Sequence, residues 1–384
     1  MSDVVIDVTR LLDRLMHKRL PTGVDRVSLA YVLHYRERAK AIIRLADYSF
    51  VLSKRDSFIL FDWLLRPKSN FEAIKIVVRG VITGWRGRSV SGRILFNTGH
   101  SALEKMSYPA MLKEQGVQPV FMVHDLIPVS HPEYCRFGER DKHRLRMRNV
   151  LNMAKGVICN SRATLNHLKE FASENKLHMP PSVVALLAPG VAGNDKFVRL
   201  IPEPYFVIIS TIEGRKNHLL LLQIWRQLAA QLGDKTPKLV IIGQRGWECE
   251  NVIDMLDRCE AIRPYVIELS QCSDDNLVSY LQHAQALLFP SFSEGYGMPL
   301  VEALALGVPV IASDLSVFRE IAGEIPEYLD PIDGLGWIAM INAYSSSENV
   351  KRVQQIERLN TFKIPTWANH FNIVDNLLMQ IAGM

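Results

Sequence analysis

Two glutamates eight residues apart, Glu294 and Glu302, flank the turn Gly295-Tyr296-Gly297-Met298-Pro299. The spacing is a chemical layout. The glycines can bring bare backbone N–H groups against a ligand, and Pro299 suits the first position of a helix because its missing N–H is not needed there. A helix is therefore expected to begin near Pro299. Its free N–H groups and positive dipole end favour a phosphate or a developing oxyanion, and Glu302, one turn in, can accept hydrogen bonds from ligand hydroxyls. Two solvated charges on a surface helix are the plainer alternative. Against that alternative stand Phe289-Pro-Ser before the first glutamate, and an apolar helix closed by Gly307 and a buried-looking strand after the second.

A second cluster opens the same half of the chain. The apolar run Phe206-Val-Ile-Ile-Ser210 leads into Thr211-Ile-Glu-Gly214-Arg215-Lys216-Asn217-His218. Adjacent Arg and Lys after a glycine turn can hold a diphosphate, the Arg as a planar fork and the Lys as a mobile point charge. Two basic residues on an exposed helix end would look the same. In the N-terminal half the signals are softer. Thr22-Gly23-Val24-Asp25-Arg26-Val27 precedes an expected helix from Ser28 to Tyr35 and could equally be a capped helix start. His124-Asp125-Leu-Ile-Pro128 and Asn97-Thr-Gly99-His100 each follow a strand, at the carboxyl end where open α/β sheets bind ligands.

Together with Gly307-Val-Pro-Val-Ile-Ala-Ser-Asp314, the glutamate block resembles the Glu-x7-Glu motif of retaining GT-B glycosyltransferases of the GT4 type. The resemblance is specific mainly from Ser210 to Asp314, and the TGVDRV and HDLIP blocks lean towards bacterial polysaccharide and O-antigen mannosyltransferases. It implies an α/β fold of two Rossmann-like, doubly wound parallel-sheet domains facing a central cleft. It further implies that Arg215 and Lys216 neutralise the leaving nucleoside diphosphate, that Glu294 orients the donor sugar, and that Glu302 holds the ribose. His124 would lie against donor sugar and acceptor. Further donor contacts would come from Ser210, Leu269, Gly295, Tyr296, Gly297, Met298, Pro299 and the Gly23 loop. Acceptor contacts would come from Asp25, Arg26, Asn97 and His100. The expected donor is GDP-mannose, and the expected acceptor is a growing, lipid-linked cell-surface polysaccharide or lipopolysaccharide glycan.

Absences narrow the field. The sequence has no G-x-G-x-x-G after its first strand, no G-x-x-x-x-G-K-[ST] loop and no H-E-x-x-H. It also lacks the Asp-x-Asp pair through which many transferases of another fold hold a metal-bound diphosphate. Cationic side chains would take that role, so no metal and no cofactor beyond the donor are expected. Two other classes remain open: a GT-B sugar-nucleotide epimerase or hydrolase, and a non-catalytic nucleotide-sugar-binding protein. Five cysteines without a C-x-x-C pair read as buried thiols. With no basic, apolar leader and no long apolar run, a cytoplasmic protein is expected, with peripheral contact at the inner face of the plasma membrane.

The elements that must position these residues alternate short apolar runs with helical patterns, as in helix-covered parallel sheets. Strands are expected at residues 4–8, 41–45, 58–61, 94–97, 119–124, 156–160 and 183–188. A fresh series follows at 205–211, 238–243, 265–269, 286–290 and 309–313. A Pro/Gly-rich linker divides an acceptor domain, 1–194, from a nucleotide-sugar domain, 195–364, and a helix over 365–384 would cross back onto the first. Charge is uneven within a net +5. Residues 66–93 carry seven Lys/Arg and one acid, Glu72, interleaved with aliphatic residues, and residues 136–148 carry six Lys/Arg and two acids. Such segments suit an anionic membrane surface, or are simply solvated basic faces. No nucleic-acid-binding signature accompanies them.

Overall fold

The computed structural model describes residues 4–19, 21–45, 48–84, 90–105, 107–191 and 198–383. The chain divides into two compact units. The first holds β1 (Val4–Asp7), β2 (Ala39–Leu45), β3 (Tyr48–Val51), β4 (Ile94–Asn97), β5 (Gln118–Val123), β6 (Gly156–Cys159) and β7 (Ser182–Val184) in the order β3-β2-β1-β4-β5-β6-β7. All pairs are parallel except β2 with β3. The central strands β1, β4, β5 and β6 are almost wholly buried, as befits the inner strands of a helix-covered parallel sheet. The helix Trp367–Ala382 packs in this unit, with His370 bonded to the Tyr31 hydroxyl at 2.9 Å and Phe371 against the Tyr31 ring.

The second unit holds β8 (Tyr205–Ile209), β9 (Lys238–Ile242), β10 (Val266–Leu269), β11 (Leu287–Phe289), β12 (Val310–Ser313) and β13 (Glu327–Leu329) in the wholly parallel order β10-β9-β8-β11-β12-β13. The strand order reverses between β1 and β4 in one unit and between β8 and β11 in the other, which is where doubly wound sheets open a crevice at their carboxyl ends.

Four expectations need correction or placement. Residues 58–61 are not a strand; they lie inside α3 (Lys54–Leu65), which Ser53 caps by accepting from the Asp56 N–H at 2.9 Å. A short apolar run has the same pattern in a buried helix as in a buried strand, and here Leu60, Phe61, Trp63 and Leu64 form the buried face. The helix expected from Ser28 starts earlier, as α2 (Gly23–Tyr35), and is separated from β1 by α1 (Thr9–Met16), so Gly23 is a helix-opening residue rather than part of a loop off the first strand. Residues 130–139 belong to the second unit, although they lie deep in the first half of the sequence. The expected boundary near residue 195 falls outside the described residues.

Candidate functional site

The strongest constellation lies at the reversal point of the second sheet. β8 ends at Ile209, and the chain runs through buried Glu213 into a single 3-10 turn, Gly214–Lys216. Asn217 then takes a left-handed conformation, φ 57°, which Asn tolerates better than most residues, and its side-chain amide donates to the Pro331 carbonyl at 2.8 Å. This kink turns the chain into the helix His218–Leu232 and leaves Arg215 and Lys216 facing the end of β11. There Glu294 receives both. Arg215 lies 2.9 Å from one carboxylate oxygen, and Lys216 donates to the other, as does the Ser291 hydroxyl at 2.8 Å. Arg215 also donates to Glu213 at 2.7 Å and to the Ser293 carbonyl at 2.6 Å, while the Phe292 N–H donates to the Arg215 carbonyl at 2.9 Å. The two segments are thus tied through side chain and backbone.

Electrostatics follow from this packing. Burial pushes the Glu294 carboxyl up, but Arg215 and Lys216, with hydrogen bonds from Lys216 and Ser291, outweigh it and hold the pKa at about 2. Burial and the Arg215 charge lower the Lys216 pKa, and Glu294 and Glu213 only partly restore it. His218, beneath the turn, is pushed down to about 3 by burial and then by Lys216, so the ring near Ser210 Oγ is neutral. Glu213 was not singled out in the sequence; its place two residues before Arg215 was the only available signal.

After Glu294 the turn closes through Gly297, whose φ of 103° suits glycine, and a Cβ there would come within 2.7 Å of the Phe318 ring. The helix that follows, Met298–Ala305, has Pro299 in its first turn, Tyr296 buried just before it and Glu302 buried within it. Glu302 accepts the Gly190 N–H at 3.2 Å. Leu269 ends β10 and its carbonyl accepts the Gly243 N–H at 3.0 Å. Beside it, at the ends of β9 and β10, is an open pocket of about 580 Å³ lined by Gln244, Arg245, Glu268, Ser270 and Gln271.

Residues 130–139 complete this site from a distant part of the sequence. The Tyr134 ring stacks on Phe292 with centroids 5.4 Å apart and planes within 6°. Arg136 lies over the Trp247 ring at 4.7 Å. Phe292 follows β11 and Trp247 follows β9, so the strap is anchored on both sides of the Arg215-Lys216 turn.

The first-unit candidates form their own group at the ends of β4 and β5. His124 is buried and its Nε2–H donates to the Thr98 carbonyl at 2.7 Å; burial lowers its pKa, against the opposing effects of that carbonyl and Asp125. His100 sits at φ 55° with its ring 5.3 Å from His124 and 5.7 Å from His143, and burial pushes its pKa well down. Its Nε2 is buried without a hydrogen-bond partner. Two other candidates are engaged internally. Asp25 is buried, caps α2 by accepting from the Thr22 N–H at 2.8 Å, and pairs with Arg10 at 2.9 Å and Arg14 at 2.7 Å. Asn97 is buried and donates to the Tyr108 hydroxyl at 2.9 Å and the Ser101 carbonyl at 3.2 Å. Arg26 is half-buried in the first turn of α2.

The basic segments are also placed. Residues 70–84 form α4 (Asn70–Gly84), which buries Ala73 and Ile76 and exposes Phe71, Ile74, Val78, Val81 and Ile82. Arg79 pairs with Asp56 at 2.9 Å, and Arg86 and Arg88 lie outside the described residues. In the second segment Arg146 pairs with Glu104 at 2.9 Å. Among the described residues no helix is long and apolar enough to cross a membrane.

Comparison with known proteins places the architecture first. The chain superposes on the crystal structure of Anabaena HepE in complex with UDP and glucose with a TM-score of 0.66, covering 100% of both chains at 14% identity, and the shared fold is GT-B. The matching segment then gives the family: residues 194–325 match the model for glycosyl transferases group 1, and the domain that carries the Arg215, Lys216 and Glu294 cluster belongs to that family, the GT4 type. The chain is similar to the serotype-specific mannosyltransferase WbdA of Escherichia coli, 27% identical over 66% of this chain and 34% of that protein. It is also 33% identical to O-antigen chain mannosyltransferase B of Escherichia coli over 34% of this chain and 33% of that protein. The matches thus span about a third of the length of these relatives.

Proposed function

We propose that the chain is a retaining, metal-independent glycosyltransferase. It moves a hexosyl group, mannose by preference, from a nucleoside diphosphate sugar, GDP-mannose by preference, to a growing lipid-linked polysaccharide or lipopolysaccharide glycan. The observation that carries this reading is the buried Arg215, Lys216 and Glu294 cluster at the reversal point of the second sheet. Breaking the bond from anomeric carbon to diphosphate puts negative charge on the leaving group. Two fixed cations and the amino end of the helix Met298–Ala305 are placed to meet that charge as it develops. Glu294 turns to the sugar hydroxyls once the diphosphate takes its cations, and Glu302 holds the ribose. The open pocket beside Leu269 takes the base. His124, neutral and fixed by the Thr98 carbonyl, positions sugar and acceptor. The names of the mannosyltransferase relatives support the choice of mannose and of an O-antigen-type glycan. Exposed apolar residues on α4 support contact with the inner face of an anionic membrane.

The test is to incubate the protein with a panel of nucleoside diphosphate sugars and lipid-linked oligosaccharides, with and without EDTA, and to read the new linkage by NMR. An axial mannosidic product formed equally well with chelator is expected. Donor hydrolysis or epimerisation without transfer, or a strict need for a divalent ion, would overturn the assignment.

A further inference from the structure

The open pocket at the ends of β9 and β10 holds an ion pair whose geometry bears on which base a nucleotide there would carry. β9 ends at Ile242, and the chain then runs beside the segment that leads to Arg215. The Ile212 N–H donates to the Gln244 carbonyl and the Gly246 N–H to the Ile212 carbonyl, each at 2.9 Å. Glycines allow this approach. A Cβ on Gly243 would collide with the Ser210 carbonyl, and one on Gly246 would meet the Ile212 oxygen at 2.7 Å. Inside the pocket Arg245 grips Glu268 as a fork, Nε donating to one carboxylate oxygen and Nη2 to the other, both at 2.8 Å. Glu268 is thus held as an acceptor of two parallel N–H bonds. The same guanidinium also reaches Asp257, in the helix Glu250–Arg258, through Nη1 at 3.0 Å and Nη2 at 2.6 Å. Arg245 therefore has a second carboxylate to hold when Glu268 is taken.

A nucleobase can take Glu268 in the same way only if it presents what Arg245 presents. Guanine does so, because its N1–H and 2-amino group are two adjacent donors on a guanidine-like fragment. Uracil sets its one ring N–H between two carbonyl oxygens, and adenine and cytosine place a bare ring nitrogen beside the amino group. Each of these turns an acceptor against a carboxylate oxygen, which is a penalty as well as a lost bond. We propose that Glu268 selects a guanine nucleotide, its two oxygens accepting N1–H and N2–H while Arg245 withdraws onto Asp257. The proposal rests on the transferase reading for placing the base in this pocket. It makes Glu268 a specificity-determining residue that takes no part in the sugar transfer itself.

Calorimetric titration of the full chain with GDP, IDP and UDP is the test, IDP being GDP without the 2-amino group. Wild type should bind GDP about tenfold more tightly than IDP, the lower end of what a hydrogen bond to a charged group contributes, and UDP more weakly still. Glu268→Gln should bring GDP and IDP within about twofold of each other, since the amide offers only one acceptor oxygen. Arg245→Gln removes the same ion pair but leaves the carboxylate, so the gap between GDP and IDP should persist or widen. Circular dichroism checks that both variants keep their secondary structure. A gap that survives Glu268→Gln, or that both variants lose equally, would overturn the proposal, the second result making the ion pair a support of the pocket wall. Tighter binding of UDP than of GDP by wild type would overturn it too. A protein that discriminates as expected yet transfers no sugar refutes the transferase reading alone. One that transfers sugar from a guanine nucleotide donor while the gap survives Glu268→Gln refutes this assignment alone, and failure to bind any of the three refutes both.

Discussion

Replacing Glu294 with glutamine keeps the shape of the side chain and removes the one charge shared by Arg215 and Lys216. In the folded protein that carboxyl is held at about 2 against a usual 4.5, and its side chain is only 8% exposed. At 1.36 kcal/mol per unit the depression corresponds to about 3 kcal/mol, similar to the cost of breaking other buried ion pairs. The sign is that of a depressed acid. The contribution is fully present above pH 4.5 and is lost as the pH falls through 2. Glu294→Gln should therefore lower the stability of the second unit at pH 7 by about 3 kcal/mol, or on the order of 6–12 °C in its melting temperature. The gap to wild type should narrow between pH 4.5 and pH 2. Nucleoside diphosphate brings its own negative charge to the same cations, so saturating ligand should shrink the deficit at pH 7 and raise the variant's relative affinity. Calorimetric melts of both proteins, with and without ligand, measure all of this. A variant as stable as wild type at pH 7, or a deficit unaltered by pH and ligand, would show that Glu294 is not the counter-charge of the donor cations.

Lys216→Ala should lose most donor turnover, with secondary structure retained by circular dichroism and with wild-type activity indifferent to EDTA, because the lysine meets charge that develops only as the diphosphate leaves. Glu302→Ala should raise the dissociation constant for free nucleoside diphosphate about 10- to 100-fold, the worth of one charge-assisted hydrogen bond, and change kcat little, because a ribose contact is present in donor and product alike; calorimetry and initial rates separate the two. Tyr134→Ala should weaken nucleoside diphosphate binding about 3- to 10-fold by removing the stack on Phe292, and Tyr134→Phe should restore it.

That Arg215, Lys216 and Glu294 come together was legible because the geometry is local. One strand, one turn and one helix carry Arg215 and Lys216, and a second such unit carries Glu294 and Glu302, so residue spacing maps onto space. The strap was not legible. Nothing in Ser130–Glu139 announces that Tyr134 and Arg136 pack in the second unit, because the pairing depends on aromatic partners well over a hundred residues away. Asp25 shows a different limit. An acid two residues after a glycine reads as a ligand-facing loop, but the Thr-x-x-Asp spacing is equally a capping box, and Arg10 and Arg14, in the first and second turns of α1, pair with it. The strands β3 and β13, four and three residues long, are too short to show a period.

The Arg215, Lys216 and Glu294 cluster is self-neutralised: Glu213 and Glu294 face Arg215 and Lys216, carboxylate for cation. Such a cluster holds the cations in place without leaving them as uncompensated buried charges, which the lowered Lys216 pKa shows would be costly. A diphosphate entering the site must take hydrogen-bond donors now given to Glu294, while Glu213 can keep its own contact with Arg215. Under the proposed function, Glu294 would be released from the cations as a sugar arrives beside it, with the Ser291 hydroxyl remaining as its partner. On the proposed transferase reading, the same carboxylate would serve as a counter-ion before binding and a sugar-orienting acceptor afterwards. Such an exchange would make donor binding and sugar placement one event, so a bare anion could satisfy the first half but would leave Glu294 without the hydroxyls that complete the second.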